Sequence, residues 1–303
     1  MSRPKSTITD VAAPALVAAA VGAVAAFTAW HGVHAAHAQE QQYPAAARQS
    51  VARAAGGDSA GDSGNPATWR LPIEAYMSTK TQARLMAGTR DELLDTCMSD
   101  AGYPSWSPAP VLPEIGGKTL TDWRYGIHDA TLAAERGYHP AAEEQRAYDA
   151  AMEAGAVDTS GADDGVLRGC VGKVDAKVPA TTAKADLVQQ ISGDAFARSE
   201  VDTAVVAVFA KWSSCMKEKG FSYDKPMDAS DDPKFNDPGK VSGTEISTAT
   251  ADIGCRDKYQ VEKTWFDAES ALQRADIARH HEELDQVRAD TMAAVAKAEA
   301  AAR

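Results

Sequence analysis

Few side chains in this sequence are placed to do chemistry, and the four cysteines are the clearest set: Cys97, Cys170, Cys215 and Cys255. No CxxC occurs and no histidine lies near any cysteine in the sequence, so neither a redox dithiol nor a zinc set is spelled out. Disulfide formation is the chemistry left to them. The histidines are less organised. His31, His34 and His37 share helical spacing, but they fall in a leader expected to be removed. His280 and His281 are adjacent and would point in different directions from a helix. His128 and His139 form a pair with no carboxylate spacing to complete a metal site. The acidic stretch Asp158 to Gly165 fails the EF-hand pattern, because Ala162 stands where a calcium ligand belongs. No metal and no cofactor is expected. Trp123, Tyr125 and Tyr138, with His139 and His128, are the best candidates for a small ligand cleft, since aromatics with a few polar groups line many such sites. The competing expectation is that these aromatics form core.

One segment imitates a catalytic motif. Gly61-Asp62-Ser63-Gly64-Asn65-Pro66 resembles the nucleophile segment GDSGGP of trypsin-like proteases. It departs at Asn65. Those proteases also place His and Asp well upstream on a β-barrel, whereas no histidine stands between the expected leader and Ser63. No nucleophile–base pair, metal spacing or phosphate loop is visible elsewhere, so the reading is of a protein without catalysis.

The cysteines are organised by a repeat. Cys97-Met98, then Gly102-Tyr103, is echoed by Cys215-Met216, then Gly220-Phe221, and each copy is followed by one further cysteine, Cys170 and Cys255. Val201, Val205, Val208, Trp212 and Cys215 recur at helical spacing. Met86, Arg90, Leu93 or Leu94, and Cys97 do the same, with Arg90 the flaw in the stripe. A glycine after the last turn is a common helix stop. Four cysteines allow three connectivities, and spacing does not choose among them. Only the repeat argues for Cys97–Cys170 and Cys215–Cys255.

These residues need helices to position them. Ser78 or Thr79 caps a helix running to Cys97; Asp129 to Glu135 suits a short helix ended by Gly137; Glu143 to Glu153 suits another. Asp186 to Cys215 reads as helical, with Gly193 the candidate interruption. Prolines 104, 108, 110 and 113, and later 226, 233 and 238, mark irregular connections. Beyond Thr244 or Ser247, the expected caps, no proline occurs and Gly254 is the only glycine, so one very long helix is expected to Arg303. Trp265, Ala268, Leu272 and Ala275 form one stripe on it; Ile277, Leu284, Val287, Thr291 and Val295 form another. Past His281 such a helix outruns its domain and is expected to be solvated, frayed or paired with another chain.

The N-terminus sets the compartment. Arg3 and Lys5, an apolar run from Val11 to Trp30 and Ala36-His37-Ala38 describe a signal peptide over residues 1–38, or an N-terminal membrane anchor if it stays uncleaved. Residues 39–66, poor in large apolar side chains, read as a flexible linker. The remainder divides into a first helical unit, 67–182, and a second, 183–303. Formal charge is −12, and cleavage would leave 29 basic against 42 acidic residues, which argues against nucleic acid or anionic lipid as partner.

Trp69-Arg70-Leu71-Pro72, the two Cys-Met/Gly-aromatic motifs, Arg124-Tyr125-Gly126-Ile127, Arg136-Gly137-Tyr138-His139 and Thr264-Trp265-Phe266 together resemble a group of exported actinobacterial proteins, secreted or lipid-anchored. The resemblance implies a cell-envelope setting and carries over no catalytic residues. This chain lacks the lipobox cysteine of the anchored members. The expectation is therefore mostly α: two disulfide-stapled helical units in tandem, joined by proline-rich irregular connections. It would act in the envelope as a binding or structural accessory through its C-terminal helix, toward an envelope protein or cell-wall component. The alternative is small-ligand binding at Trp123, Tyr125 and Tyr138.

Overall fold

Helix starts in this chain are set by short polar side chains, and the computed structural model, which describes residues 64–155, 158–180 and 185–303, shows where each falls. The expected leader and nearly all of the linker lie outside the described residues. Among the described residues there are ten α-helices, three 3₁₀ turns and no strand. Helix α1 (Lys80–Asp100) starts at Thr79, whose Oγ1 accepts from the Gln82 amide while Gln82 Oε1 accepts from the Thr79 amide. This reciprocal cap satisfies two amides that would otherwise be orphaned. Asp129 caps α2 (Ala130–Arg136), which stops at Gly137, as its spacing predicts. Helix α3 (Ala142–Gly155) follows. Helix α4 (Asp164–Lys177) is capped by Asp163 and carries Cys170.

The expected interruption at Gly193 is not there. Gly193 lies inside α5 (Ala185–Ser199), and the chain turns instead before Asp202, which caps α6 (Thr203–Glu218). Val201 consequently precedes the helix and is exposed, while Val205, Phe209, Trp212, Cys215 and Met216 are buried. Helix α7 (Pro226–Ser230) begins within the second proline-rich stretch.

The single long C-terminal helix is a correction. The segment forms α8 (Gly243–Tyr259), α9 (Val261–Arg279) and α10 (His281–Ala301), with Ser242 rather than Thr244 or Ser247 as the cap. Gln260 separates the first two in the left-handed region at φ 53°, a conformation costing a non-glycine residue about 1 kcal/mol or more. At the second break the His280 amide donates to Asp276 and Ile277 carbonyls and its Nδ1 lies 2.8 Å from Glu283 Oε2. The break lets residues of both stripes, Trp265 from one and Leu284 and Val287 from the other, enter the same core. Helix α10 folds back onto α1, and Leu284, Val287, Ala294, Val295 and Ala298 are buried. The segment past His281, expected to be solvated, frayed or paired with another chain, packs on this one.

Both disulfides form as the repeat argues: Cys97–Cys170 joins α1 to α4 and Cys215–Cys255 joins α6 to α8. A small core of Leu94, Met98, Trp106, Cys170 and Val174 surrounds the first. A larger one surrounds the second, built from α5 to α10, and it also takes in Trp69, Leu71, Ile73 and Tyr125 from the first half of the chain. Each staple thus has its own cluster, but residues on both sides of position 182 share the main core. Among the described residues no helix is long and apolar enough to cross a membrane.

Candidate functional site

The aromatic motif singled out from sequence sits at the centre of the molecule as an irregular strap, residues 118–129, pressed onto the main core. Two threonines fix its start: Thr119 Oγ1 donates to the Ala67 carbonyl at 3.0 Å and Thr121 Oγ1 to the Trp69 carbonyl at 3.1 Å. Asp122 accepts from the Lys118 amide at 2.6 Å, and its other oxygen lies 2.6 Å from His128 Nε2. The strap thereby closes on itself.

Two arginine–carboxylate systems then hold it. Arg124 reaches α9, where Nε and Nη2 form a forked contact with Glu269 at 2.7–3.1 Å, while Nη2 also donates to the Ser192 carbonyl of α5. Its guanidinium lies 4.7 Å from the Phe196 ring centroid. Glu269, fully buried, also accepts from Tyr125 Oη at 2.7 Å and from Gln273 Nε2, and Gln273 Oε1 accepts the Ile73 amide. Each lone pair of a buried carboxylate used in this way offsets the large cost of removing the charge from water. Burial, with Glu269 beside it, raises the Tyr125 pKa well above the usual phenol range, so Tyr125 is a hydrogen-bond donor and not a base.

The second system starts from Arg256 on α8, 1% exposed. It donates to both oxygens of Asp252 (2.8 and 3.0 Å), to Glu262 of α9, and to the backbone carbonyls of Tyr125 and Ile127. Asp252 Oδ1 also accepts from Trp212 Nε1 at 2.9 Å, which ties α6 to the same centre. Gly126, between the two carbonyls, has φ +115°, and a Cβ there would stand 2.7 Å from Arg256 Nη1. Only glycine lets the strap lie flat on the guanidinium. Burial pushes the Glu262 carboxyl up, and Arg256 pulls against it. Burial opposes the charge of Arg256, but Asp252 and Glu262 outweigh it and raise the pKa further.

The sequence-predicted site residues are therefore not a pocket. Tyr125 is 1% exposed and packs against Trp69, Phe196, Trp265 and Phe266 at centroid distances of 5.4–6.4 Å within one aromatic cluster. Trp123 borders a separate cluster of Ile127, Ala133, Ala249 and Ile253. Tyr138 stacks on Phe235, its amide donates to Glu245 Oε1 at 3.1 Å, and its hydroxyl is buried without a hydrogen bond of good geometry. Burial first, then the nearby Asp252, raises its pKa. His139 Nε2 lies 3.4 Å from the buried Glu245 without a hydrogen bond. Gly137 allows that carboxylate to approach, since a Cβ at its φ of +62° would collide with Glu245 Oε1. What the sequence reading missed is the set of partners: Glu245, Asp252, Arg256, Glu262 and Glu269, buried charges on α8 and α9. The signal was present in the adjacency of Arg124, Tyr125 and Gly126, whose long-range partners no spacing reveals.

A groove of about 370 Å³ opens elsewhere, between α5 and the C-terminal end of α9, lined by Leu187, Gln190, Ile191, Asp194, Ala197, Arg198, Asp276, Arg279 and His280. None of the five residues predicted to form a cleft lines it. Among the described residues no group of three or more His, Cys, Asp or Glu side chains is placed to hold a metal ion. No protein-family model matches the chain, and no curated protein or solved structure matches it either.

Proposed function

We propose that this is an exported protein of the cell envelope that acts by binding an envelope protein or a cell-wall component, without catalysis. The observation that supports it most is the use made of the interior charges. Arg124, Arg256, Asp252, Glu262 and Glu269 are spent on holding the strap, so the chemistry-capable residues of the centre serve shape. Two disulfides suit an oxidising compartment, and the resemblance to exported actinobacterial proteins points the same way. In the C-terminal region the surface left for a partner is the outer face of α10, where Ala289, Met292, Ala293 and Ala296 are exposed. Cross-linking the mature chain to isolated envelope, followed by affinity capture, tests the reading. Saturable capture that is lost in Ala293→Arg, at unchanged thermal stability, is the expected result. Capture indifferent to that substitution removes α10 from the account.

A second reading, small-ligand binding, is favoured by one observation, the groove between α5 and α9. It replaces the aromatic cluster as the place where such a ligand would sit.

A further inference from the structure

The groove has an unusual charge arrangement. Asp276, 5% exposed, accepts from Nη2 of Arg198 on α5 and Nη2 of Arg279 on α9. One buried carboxylate thus anchors two guanidinium groups from different helices, and the side chains of both remain about half exposed at the mouth, 45% and 59%. A guanidinium carries five N–H donors. Arg198 uses Nε on the Asp194 carbonyl, and both arginines use Nη2 on Asp276. Their other donors meet no acceptor among the described residues. In a chain of formal charge −12, this is a concave place where two arginines balance Asp194 and Asp276, and the remaining guanidinium donors stand beside an apolar lining of Leu187, Ile191 and Ala197.

We propose that the groove binds a small amphipathic monoanion, its apolar body on Leu187, Ile191 and Ala197 and its anionic head on Arg198 and Arg279. The proposal rests on the small-ligand reading above. Its volume lies within the range of small-molecule sites, about 300–1,000 Å³. Asp194 decides the charge of the ligand. It is exposed on the same wall, one turn from Arg198, and would repel a second negative charge. A monocarboxylate is therefore favoured over a phosphate dianion, because a planar carboxylate matches the guanidinium fork and carries one charge only.

Calorimetric titration of the full chain tests this with four probes: octanoate, octyl phosphate, octanol and inorganic phosphate. Octanoate is expected to bind saturably and at least about tenfold more tightly than octanol. Arg279→Gln and Arg198→Gln should each weaken octanoate about tenfold and leave octanol unchanged, whereas Leu187→Asn should weaken both. Arg198 and Arg279 are half exposed, so the glutamine variants are expected to keep their near-ultraviolet dichroism, which is recorded for each. Octanol binding as tightly as octanoate overturns the assigned ligand class while leaving a groove site standing. Octyl phosphate binding more tightly than octanoate overturns the role given to Asp194 and with it the monoanion. Inorganic phosphate matching octanoate, or no probe binding at all, overturns the site itself.

Discussion

The two halves of this molecule end their stapled helices in the same way and are buried to different depths. At the end of α1 the Tyr103 amide donates to the Met98 carbonyl at 3.0 Å across Gly102, φ +95°; at the end of α6 the Phe221 amide donates to Met216 at 2.9 Å across Gly220, φ +90°. Met98 and Met216 are both fully buried, and the bridged Cα atoms are 5.7 and 5.9 Å apart. Yet the first staple lies in a five-residue satellite cluster, with Cys97 partly exposed, while the second lies in the main core with both cysteines buried. Local sequence determines the cap, and the repeat carries the staple. Depth is determined by what the rest of the chain brings to each, and most of it comes to the second.

The buried arginines should show the largest difference. Arg256 is surrounded by buried partners, Asp252 and Glu262, which cannot recover water if it is removed. Arg256→Ala is expected to cost about 3–5 kcal/mol in urea unfolding, by stranding buried carboxylates. Arg90, the flaw in the α1 stripe, is equally buried but pairs with Asp175, which is 46% exposed, and with the Val178 carbonyl. Asp175 rehydrates when Arg90 is lost, so Arg90→Ala should cost about 1–3 kcal/mol, mostly through the stranded carbonyl. Equal costs would mean that the two halves are not different in depth.

The disulfides sharpen the same contrast. Their sequence separations of 73 and 40 residues make the loop-entropy contributions nearly alike, roughly 4 kcal/mol each. Access separates them. Graded reduction with mass-tagged alkylation should label Cys97 and Cys170 before Cys215 and Cys255. Simultaneous labelling would show that the satellite core is no looser than the main one.

The glycine caps should erase the difference. Nothing stands within 4 Å of a Cβ added at Gly102 or Gly220, so an alanine meets only the cost of positive φ. Gly102→Ala and Gly220→Ala should each lose about 1–2 kcal/mol, the same within error, by thermal or urea unfolding. Gly126→Ala, in contact with Arg256, should lose more than either.

How far the sequence could be read follows from the same division. The cap at Ser78 or Thr79, the short helix from Asp129, the stops at Gly102, Gly137 and Gly220, and the pairing of the cysteines were legible, because each rests on residues close in sequence or on the repeat. The turns at Gln260 and His280 were not, because neither glycine nor proline marks them and tertiary packing decides them. The aromatic strap was visible as a motif, but its role was not, since Glu269 lies 145 residues from Arg124 and Arg256 lies 131 from Tyr125. A charged residue on an amphipathic helix reads as solvated until its partner is known.

Titration gives the smallest effect and places the charge balance of the main core under test. Asp252 and Glu262 bring two negative charges to one Arg256, and burial raises the Glu262 pKa above its ordinary value of 4.5. A carboxyl whose folded pKa exceeds its unfolded one contributes stability that is complete below the unfolded value and is lost as pH rises through the folded value. The stability of the native chain relative to Glu262→Gln should therefore increase as pH is lowered from 7 through that raised pKa toward 4.5, measured by urea unfolding at each pH. A slope that persists in Glu262→Gln would take the titrating charge away from Glu262 and out of the balance struck with Arg256.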